Sequence, residues 1–157
     1  ARDYAMWKHS LLASIVHAPR EIVVLDPRTG KAYRHIRFDT RTMPELAWYD
    51  ERFYHNARKR VPANIANLLT ELALAVWYMD DGHRRRDCNA LRLNTHAFSC
   101  EEVECLRDAL WNRFGIRSKL HRVVETQWVL YIPSREAVPF CQLIRRYIPP
   151  SMEYKLL

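Results

Sequence analysis

No two of the four cysteines, Cys88, Cys100, Cys105 and Cys141, form a C-x-x-C pair. That absence argues against a zinc site, and free thiols in a reducing compartment are the simpler reading. A long apolar run is also missing, the longest falling far short of the ~20 residues that a bilayer span needs. No membrane partner is expected. The N-terminus opens on charged residues and shows no signal peptide, so an intracellular location is expected. Carboxylates are in the minority, 18 Asp plus Glu against 25 Lys plus Arg, and the pI lies near 9.5. Such a balance suits a polyanionic partner. Arginine strongly outnumbers lysine, and its planar fork suits phosphate and guanine recognition.

What is present is enough for a core: 48% of the 157 residues are hydrophobic and 11% aromatic, which excludes global disorder. The length fits one domain, or two small halves sharing a core. Apolar spacing predicts a helix over 4–16, ending before Pro19. Strands are expected at 21–25 and 31–40, flanking the turn Asp26-Pro27-Arg28-Thr29-Gly30. Helical spacing returns over 43–58, with Leu46, Trp48, Tyr49, Phe53 and Tyr54 as an aromatic stripe, and Pro62 ends that unit. Thr70 reads as the N-cap of a helix over 72–80, closed by Gly82 and buried on most sides. A charged loop, Arg84-Arg85-Arg86-Asp87, leads to a strand over 90–98. Ser99 with Glu102 forms a capping-box pattern that opens a helix to Phe114. A hairpin over 117–132 and a final helix over 137–147 complete the chain.

The order repeats: helix, hairpin, helix and then a lysine, Lys59 in the first unit and Lys155 in the second. This reads as a weak internal duplication of about sixty residues. The second copy has an extra helix and strand in front that the first lacks, so an N-terminal piece is expected to be missing.

Asp80-Asp81-Gly82 is the most suggestive segment. Carboxylates at a helix C-terminus face the negative end of the dipole and need a compensating cation. A solvated Asp-Gly turn and a hard divalent metal such as Mg²⁺ both answer that need. The small Ala73 and Ala75 would let another helix approach closely.

The segment Leu74-Ala75-Val76-Trp77-Tyr78-Met79-Asp80-Asp81-Gly82 resembles a LAGLIDADG motif in a diverged form. The likeness continues through Leu91-Arg92-Leu93-Asn94-Thr95, Phe98, Glu101-Glu102-Val103-Glu104, and Ile148-Pro149 to Met152-Glu153-Tyr154-Lys155-Leu156. Together these look like the C-terminal half of the two-repeat monomeric LAGLIDADG homing endonucleases. The resemblance covers residues 57–157 well and 1–56 loosely. It implies an α+β fold of two pseudo-symmetric αββαββα-like halves whose antiparallel sheets form a saddle on DNA. On this chain it implies an incomplete first repeat over 1–62, lacking its motif helix, and a second repeat over 63–157.

The resemblance further implies a sequence-specific DNA endonuclease that hydrolyses phosphodiesters with Mg²⁺ or another divalent cation. Asp81 matches the metal-binding acid, with Asp80 contributing nearby, and Lys155 and Lys59 match the repeat-end lysines. The first repeat's acid has no counterpart and is expected from an upstream segment or another chain. The partner would be double-stranded DNA, in a mitochondrion, a plastid or a bacterial cytoplasm. A cleavage-inactive relative binding RNA in intron splicing is the alternative. A basic transcription factor using the scaffold only for DNA recognition is a weaker third.

Strand alternation marks the candidate reading surfaces. Lys31, Tyr33, His35 and Arg37 share one face, as do Arg92, Asn94 and His96, and as do Arg117, Lys119 and His121. These are the wet faces of antiparallel sheets, or ribbons that fit a major groove. Arg84, Arg85 and Arg86 read as phosphate contacts, which position without specifying. The scattered spacing of His35, His96 and His121 favours surface roles over metal ligation.

Overall fold

The computed structural model describes residues 2–157. They divide into two compact units, one formed by the chain up to Leu46 with Pro149–Ser151, the other by Ala47–Ile148 with Met152–Leu157.

The first unit holds α1 (Arg2–Leu11) and the antiparallel pair β1 (Arg20–Leu25) and β2 (Ala32–Arg37). The helix stops at Leu11, five residues short of the expected span, because the chain turns so that Val16 can bridge Thr40. The β1–β2 turn closes on Gly30 at φ 67, the left-handed region where glycine costs least. Asp26 anchors the turn by accepting the Arg28 N–H at 2.8 Å, which holds its carboxyl below the ordinary value.

The second unit begins with α2 (Ala47–Phe53), β3 (Tyr54–His55), β4 (Arg58–Lys59) and the short α3 (Ile65–Leu68). Here the expected helix over 43–58 is corrected. A 3-10 turn at Pro44–Leu46 leads into α2, and the chain reverses at Asn56 and Ala57, at φ 49 and 60. The supposed aromatic stripe is not a core face: Trp48, Tyr49 and Tyr54 are exposed. Arg60 stabilises the reversal by donating to the Arg52 and Glu51 carbonyls at the end of α2.

Next come α4 (Glu71–Asp81), β5 (Gly82–Arg84), β6 (Leu91–Asn94), α5 (Cys100–Phe114), β7 (Lys119–Val124), β8 (Gln127–Ile132) and α6 (Ser134–Ile144). Two 3-10 segments, Arg145–Tyr147 and Pro150–Lys155, follow. The sheet is antiparallel in the order β5-β6-β8-β7. Leu91, Leu93, Leu130 and Ile132 are fully buried on its inner face, with Leu74, Tyr78, Val103, Leu110, Phe140 and Ile144 from the helices. Ser99 caps α5 in a reciprocal capping box with Glu102, as the spacing predicts. The strand expected over 90–98 ends at Asn94. Thr95 then turns inward, donating from its hydroxyl to the Trp128 carbonyl at 2.7 Å. α6 starts earlier than expected, at Ser134, and gives way to a 3-10 turn after Ile144.

Candidate functional site

Thr70 opens α4 by accepting the Ala73 N–H at 3.1 Å. The helix is buried along Leu74, Ala75, Tyr78 and Met79, while Ala73 is exposed and Val76 and Trp77 are half-buried. Burial on most sides is therefore corrected to burial on one. The opposite face contributes Ala73, Trp77 and Asp81 to an apolar groove of about 270 Å³ shared with Pro62, Ile65, Leu69 and Phe98.

Gly82, where α4 gives way to β5, has to be glycine for want of space. Its φ of −90 is open to any residue, but a Cβ there would stand 2.1 Å from the Tyr78 ring. That ring is fully buried and packs edge-on against Phe140 at 5.2 Å, and burial raises the phenol pKa. The Tyr78 hydroxyl donates to the Lys155 carbonyl at 2.7 Å. Lys155 returns its ammonium to the helix end, donating to the Met79 carbonyl and, at 2.9 Å, to that of Gly82. Asp80 and Asp81 stand exposed at the same end.

The electrostatics explain the grouping. Two carboxylates at the negative end of a helix are unfavourable unless a cation offsets them, and Lys155 supplies one positive charge there. Burial pushes Lys155 below its ordinary pKa, and Asp80 and Asp81 pull it back. Two adjacent carboxylates with backbone carbonyls are hard oxygen donors of the kind that suits Mg²⁺, which is often held by one or two carboxylates plus substrate phosphates. Among the described residues no three His, Cys, Asp or Glu side chains gather into a ligand set. The donors present thus fit a cation whose coordination the substrate and water complete.

Beside this end lies a basic concavity of about 580 Å³, lined by His83, Arg85, Arg86, Arg92, Tyr154 and Lys155 among others. The sheet's outer face continues it. Pairing places His83, Arg92, Tyr131 and Lys119 in one row across β5, β6, β8 and β7, and Asn94, Val129 and His121 in the next. Arg92, Asn94, Lys119 and His121 are thereby brought together as the alternation predicts. His83 and Tyr131 join them, and sequence reasoning missed both. Their signal was two-residue spacing: His83 precedes Arg85 by two, and Tyr131 alternates with the buried Leu130 and Ile132. Burial and the neighbouring Arg92, Lys155 and Arg85 depress the His83 pKa. Burial, Arg92, Arg85 and Lys119 do the same to His121.

Other expected residues stand elsewhere. The Arg117 guanidinium lies over the Trp111 ring of α5 at 5.0 Å, so it does not share the face of Lys119 and His121. It precedes β7, where strand alternation no longer applies. His96 is exposed in the turn after β6. Arg84, which donates to Asn89 at 3.0 Å, and the exposed Arg86 are the exceptions, since both line the basic concavity. In the first unit Tyr33, His35 and Arg37 share a face of the β1–β2 ribbon with Arg20, Ile22 and Val24, and Lys31 sits exposed just before β2. Lys59 lies on β4, apart from the basic concavity, in a hollow of about 320 Å³ with His55, Arg58, Arg60, Ser99 and Glu102.

A model of the LAGLIDADG DNA endonuclease family matches residues 1–140. The chain is 32% identical to the cytochrome b mRNA maturase bI2 of Debaryomyces hansenii, over 98% of this chain and 60% of that protein. Its likeness to the Saccharomyces cerevisiae maturase bI2 is 30%, over 98% of this chain and 38% of that one. The chain thus spans only part of these relatives. Among solved structures, the homing endonuclease I-WcaI bound to its DNA recognition sequence aligns with a TM-score of 0.89 and 26% identity, covering all of this chain and 72% of that one. The antiparallel α+β architecture is that of the LAGLIDADG homing endonucleases, and the chain belongs to the LAGLIDADG DNA endonuclease family.

Proposed function

We propose that this chain forms part of a sequence-specific, divalent-metal-dependent DNA endonuclease. The observation that carries this reading is the end of α4, where Asp80 and Asp81 stand exposed beside Lys155 and the arginine-rich concavity. Asp81, with Asp80, would hold Mg²⁺ or a similar cation. When bound, the cation supplies positive charge to the phosphodiester and a more acidic water. The chain's own residues do the rest. Lys155 keeps its proton on Nζ, spends two of its three N–H groups on the Met79 and Gly82 carbonyls, and has one left for a phosphate oxygen. Arg92, Asn94, Lys119 and His121, on the sheet's outer face, would meet the DNA.

The same proposal divides the chain into an incomplete first repeat over 1–62 and a second over 63–157. Lys59 then serves the first repeat's site, which fits its place in a hollow that shares no lining residue with the concavity, and a second acid comes from an upstream segment or another chain. The relatives at similar identity include a RecA protein of Mycolicibacterium chitae as well as the yeast maturases, so organelle and bacterial compartments both stay in view.

The test is cleavage of a duplex DNA target library in Mg²⁺ by wild type and Asp81→Asn, with binding measured in parallel. Loss of cleavage by about a hundredfold or more, with binding retained, is the expected result. An Asp81→Asn protein that cuts as well as wild type overturns the metal assignment. The maturase relatives favour a second reading, RNA binding in intron splicing. A wild type that cuts nothing and holds RNA more tightly than duplex DNA would establish it instead.

A further inference from the structure

Arg85 differs from its neighbours in how its guanidinium is held. Its Nε donates to Asp87 Oδ1 at 2.7 Å and its Nη2 donates to Asp87 Oδ2, so one whole edge of the fork is fixed by one carboxylate. Its backbone N–H is tied to the Ala90 carbonyl at 2.9 Å, which anchors the loop carrying both residues. The guanidinium also lies 6.0 Å from the ring of Tyr131, a residue of the sheet's outer face. Its side chain is only 27% exposed, against 63% for Asp87. The ion pair holds the Asp87 carboxyl at about 2, well below the carboxylate range, so Asp87 stays charged at any working pH.

This arrangement leaves the outer edge of the fork, Nη1 and the second hydrogen of Nη2, without a partner among the described residues. Two parallel donors on a rigid plane match the paired acceptors O6 and N7 that guanine alone presents in the major groove. A phosphate contact needs no such rigidity, because it carries no sequence information and is met equally well by a flexible cation. Arg86, next in the chain, is exposed and has no hydrogen bond among the described residues, as a phosphate contact would.

We propose that Arg85 is a specificity-determining residue that reads one guanine, and that Asp87 positions it by fixing the other edge of its guanidinium. The proposal rests on the DNA-binding reading above and reassigns Arg85 from the phosphate contacts to the base contacts. It predicts that the charge of Arg85 matters less than the orientation of its fork.

The experiment is selection of the full chain against a randomised duplex library in Ca²⁺. Affinities are then measured for the selected duplex and for versions with each base pair changed singly. Wild type should prefer guanine at one position by about tenfold or more. Arg85→Lys, which keeps the charge and loses the fork, should reduce that preference to about threefold or less. Asp87→Asn should reduce it by a smaller factor, with Arg85 still present. Arg86→Ala should weaken every duplex alike and leave the preference intact. Thermal melting of each variant confirms that it folds. If Arg85→Lys binds all sequences more weakly but keeps the guanine preference, the inference is overturned while the DNA reading stands. If wild type binds no duplex DNA, both fall.

Discussion

The two β-structures of this chain are built on opposite terms. In the four-stranded sheet of the second unit, Leu91, Leu93, Leu130 and Ile132 are fully buried on one face, while the other face carries the charge. In the β1–β2 ribbon no residue is buried, and Val23 and Leu25 are 65% and 66% exposed. Both are antiparallel and both display basic residues, so pairing alone does not separate them. What separates them is helix cover: α4, α5 and α6 deliver the side chains that turn the four strands into a core. Three or more strands with an apolar face stand on their own, whereas an isolated two-stranded hairpin is marginal. In the second unit Arg92, Asn94, Lys119 and His121 sit on a scaffold backed by three helices, whereas the ribbon is backed by α1.

Truncation tests that difference most directly. Leu93→Ala should cost roughly 2–5 kcal/mol, because it empties a fully buried site. Leu25→Ala, in the ribbon, should cost less than about 0.5 kcal/mol. Urea unfolding of the two variants checks the pair, and equal losses would mean that the ribbon has a core of its own. Gly82→Ala follows at roughly 2–3 kcal/mol, since the added methyl meets the buried Tyr78 ring and must displace α4 or β5. The same variant should lower DNA cleavage, because the shift moves the carbonyl that Lys155 holds.

How much of this was legible beforehand follows from the range of each interaction. The Thr70 cap, the Ser99–Glu102 capping box and the Gly30 turn are satisfied within a few residues, and the chain announces them. The alternation of Leu91 and Leu93 with Arg92 and Asn94 likewise shows one face of β6. Helical spacing through Phe53 and Tyr54 concealed the reversal at Asn56 and Ala57, because no glycine marks that left-handed turn. Gly82 was readable as a helix end, but the demand for glycine there comes from the Tyr78 ring, which a Cβ would strike. Likewise Tyr131 belongs beside Arg92 only through strand register. That pairing leaves no trace in local sequence. Arg117 reaches Trp111 locally, around the left-handed Gly115 that ends α5, and strand alternation misplaced it because β7 starts only at Lys119. The end of α4 stood out because two carboxylates at a helix C-terminus are a local conflict, and such conflicts often mark function.

The small hairpin at Tyr54–Lys59 offers a milder contrast. Ala57 at φ 60 occupies a region that costs an ordinary side chain about 1 kcal/mol or more. Ala57→Gly should therefore stabilise the second unit by roughly 0.5–1 kcal/mol, with part of the gain returned as unfolded-state entropy. Thermal melting reads it, and no gain would mean that the turn is relaxed already.

The smallest effect concerns how tightly charge is gathered on the four-stranded sheet. The His121 ring stacks on Tyr131 at 4.3 Å, facing Arg92, Arg85 and Lys119, and burial together with those cations lowers its pKa from 6.5. The sign follows from linkage. A histidine with a depressed folded-state pKa contributes stability above 6.5 that is lost as pH falls through the depressed value. Bound phosphates act in the opposite sense, because negative charge beside the ring favours the protonated form and raises its pKa. Acidification from about pH 7.5 to about pH 5.5 should therefore weaken the free protein slightly and strengthen its grip on duplex DNA by about threefold, under about 1 kcal/mol. Because His83 on the same face is depressed in the same way, His121→Gln should reduce both trends and the double variant His83→Gln, His121→Gln should flatten them at constant ionic strength, as read by anisotropy titration and by melting. If affinity still rises on acidification in the double variant, the proton is taken up elsewhere, and His121 is only a stacking partner for Tyr131.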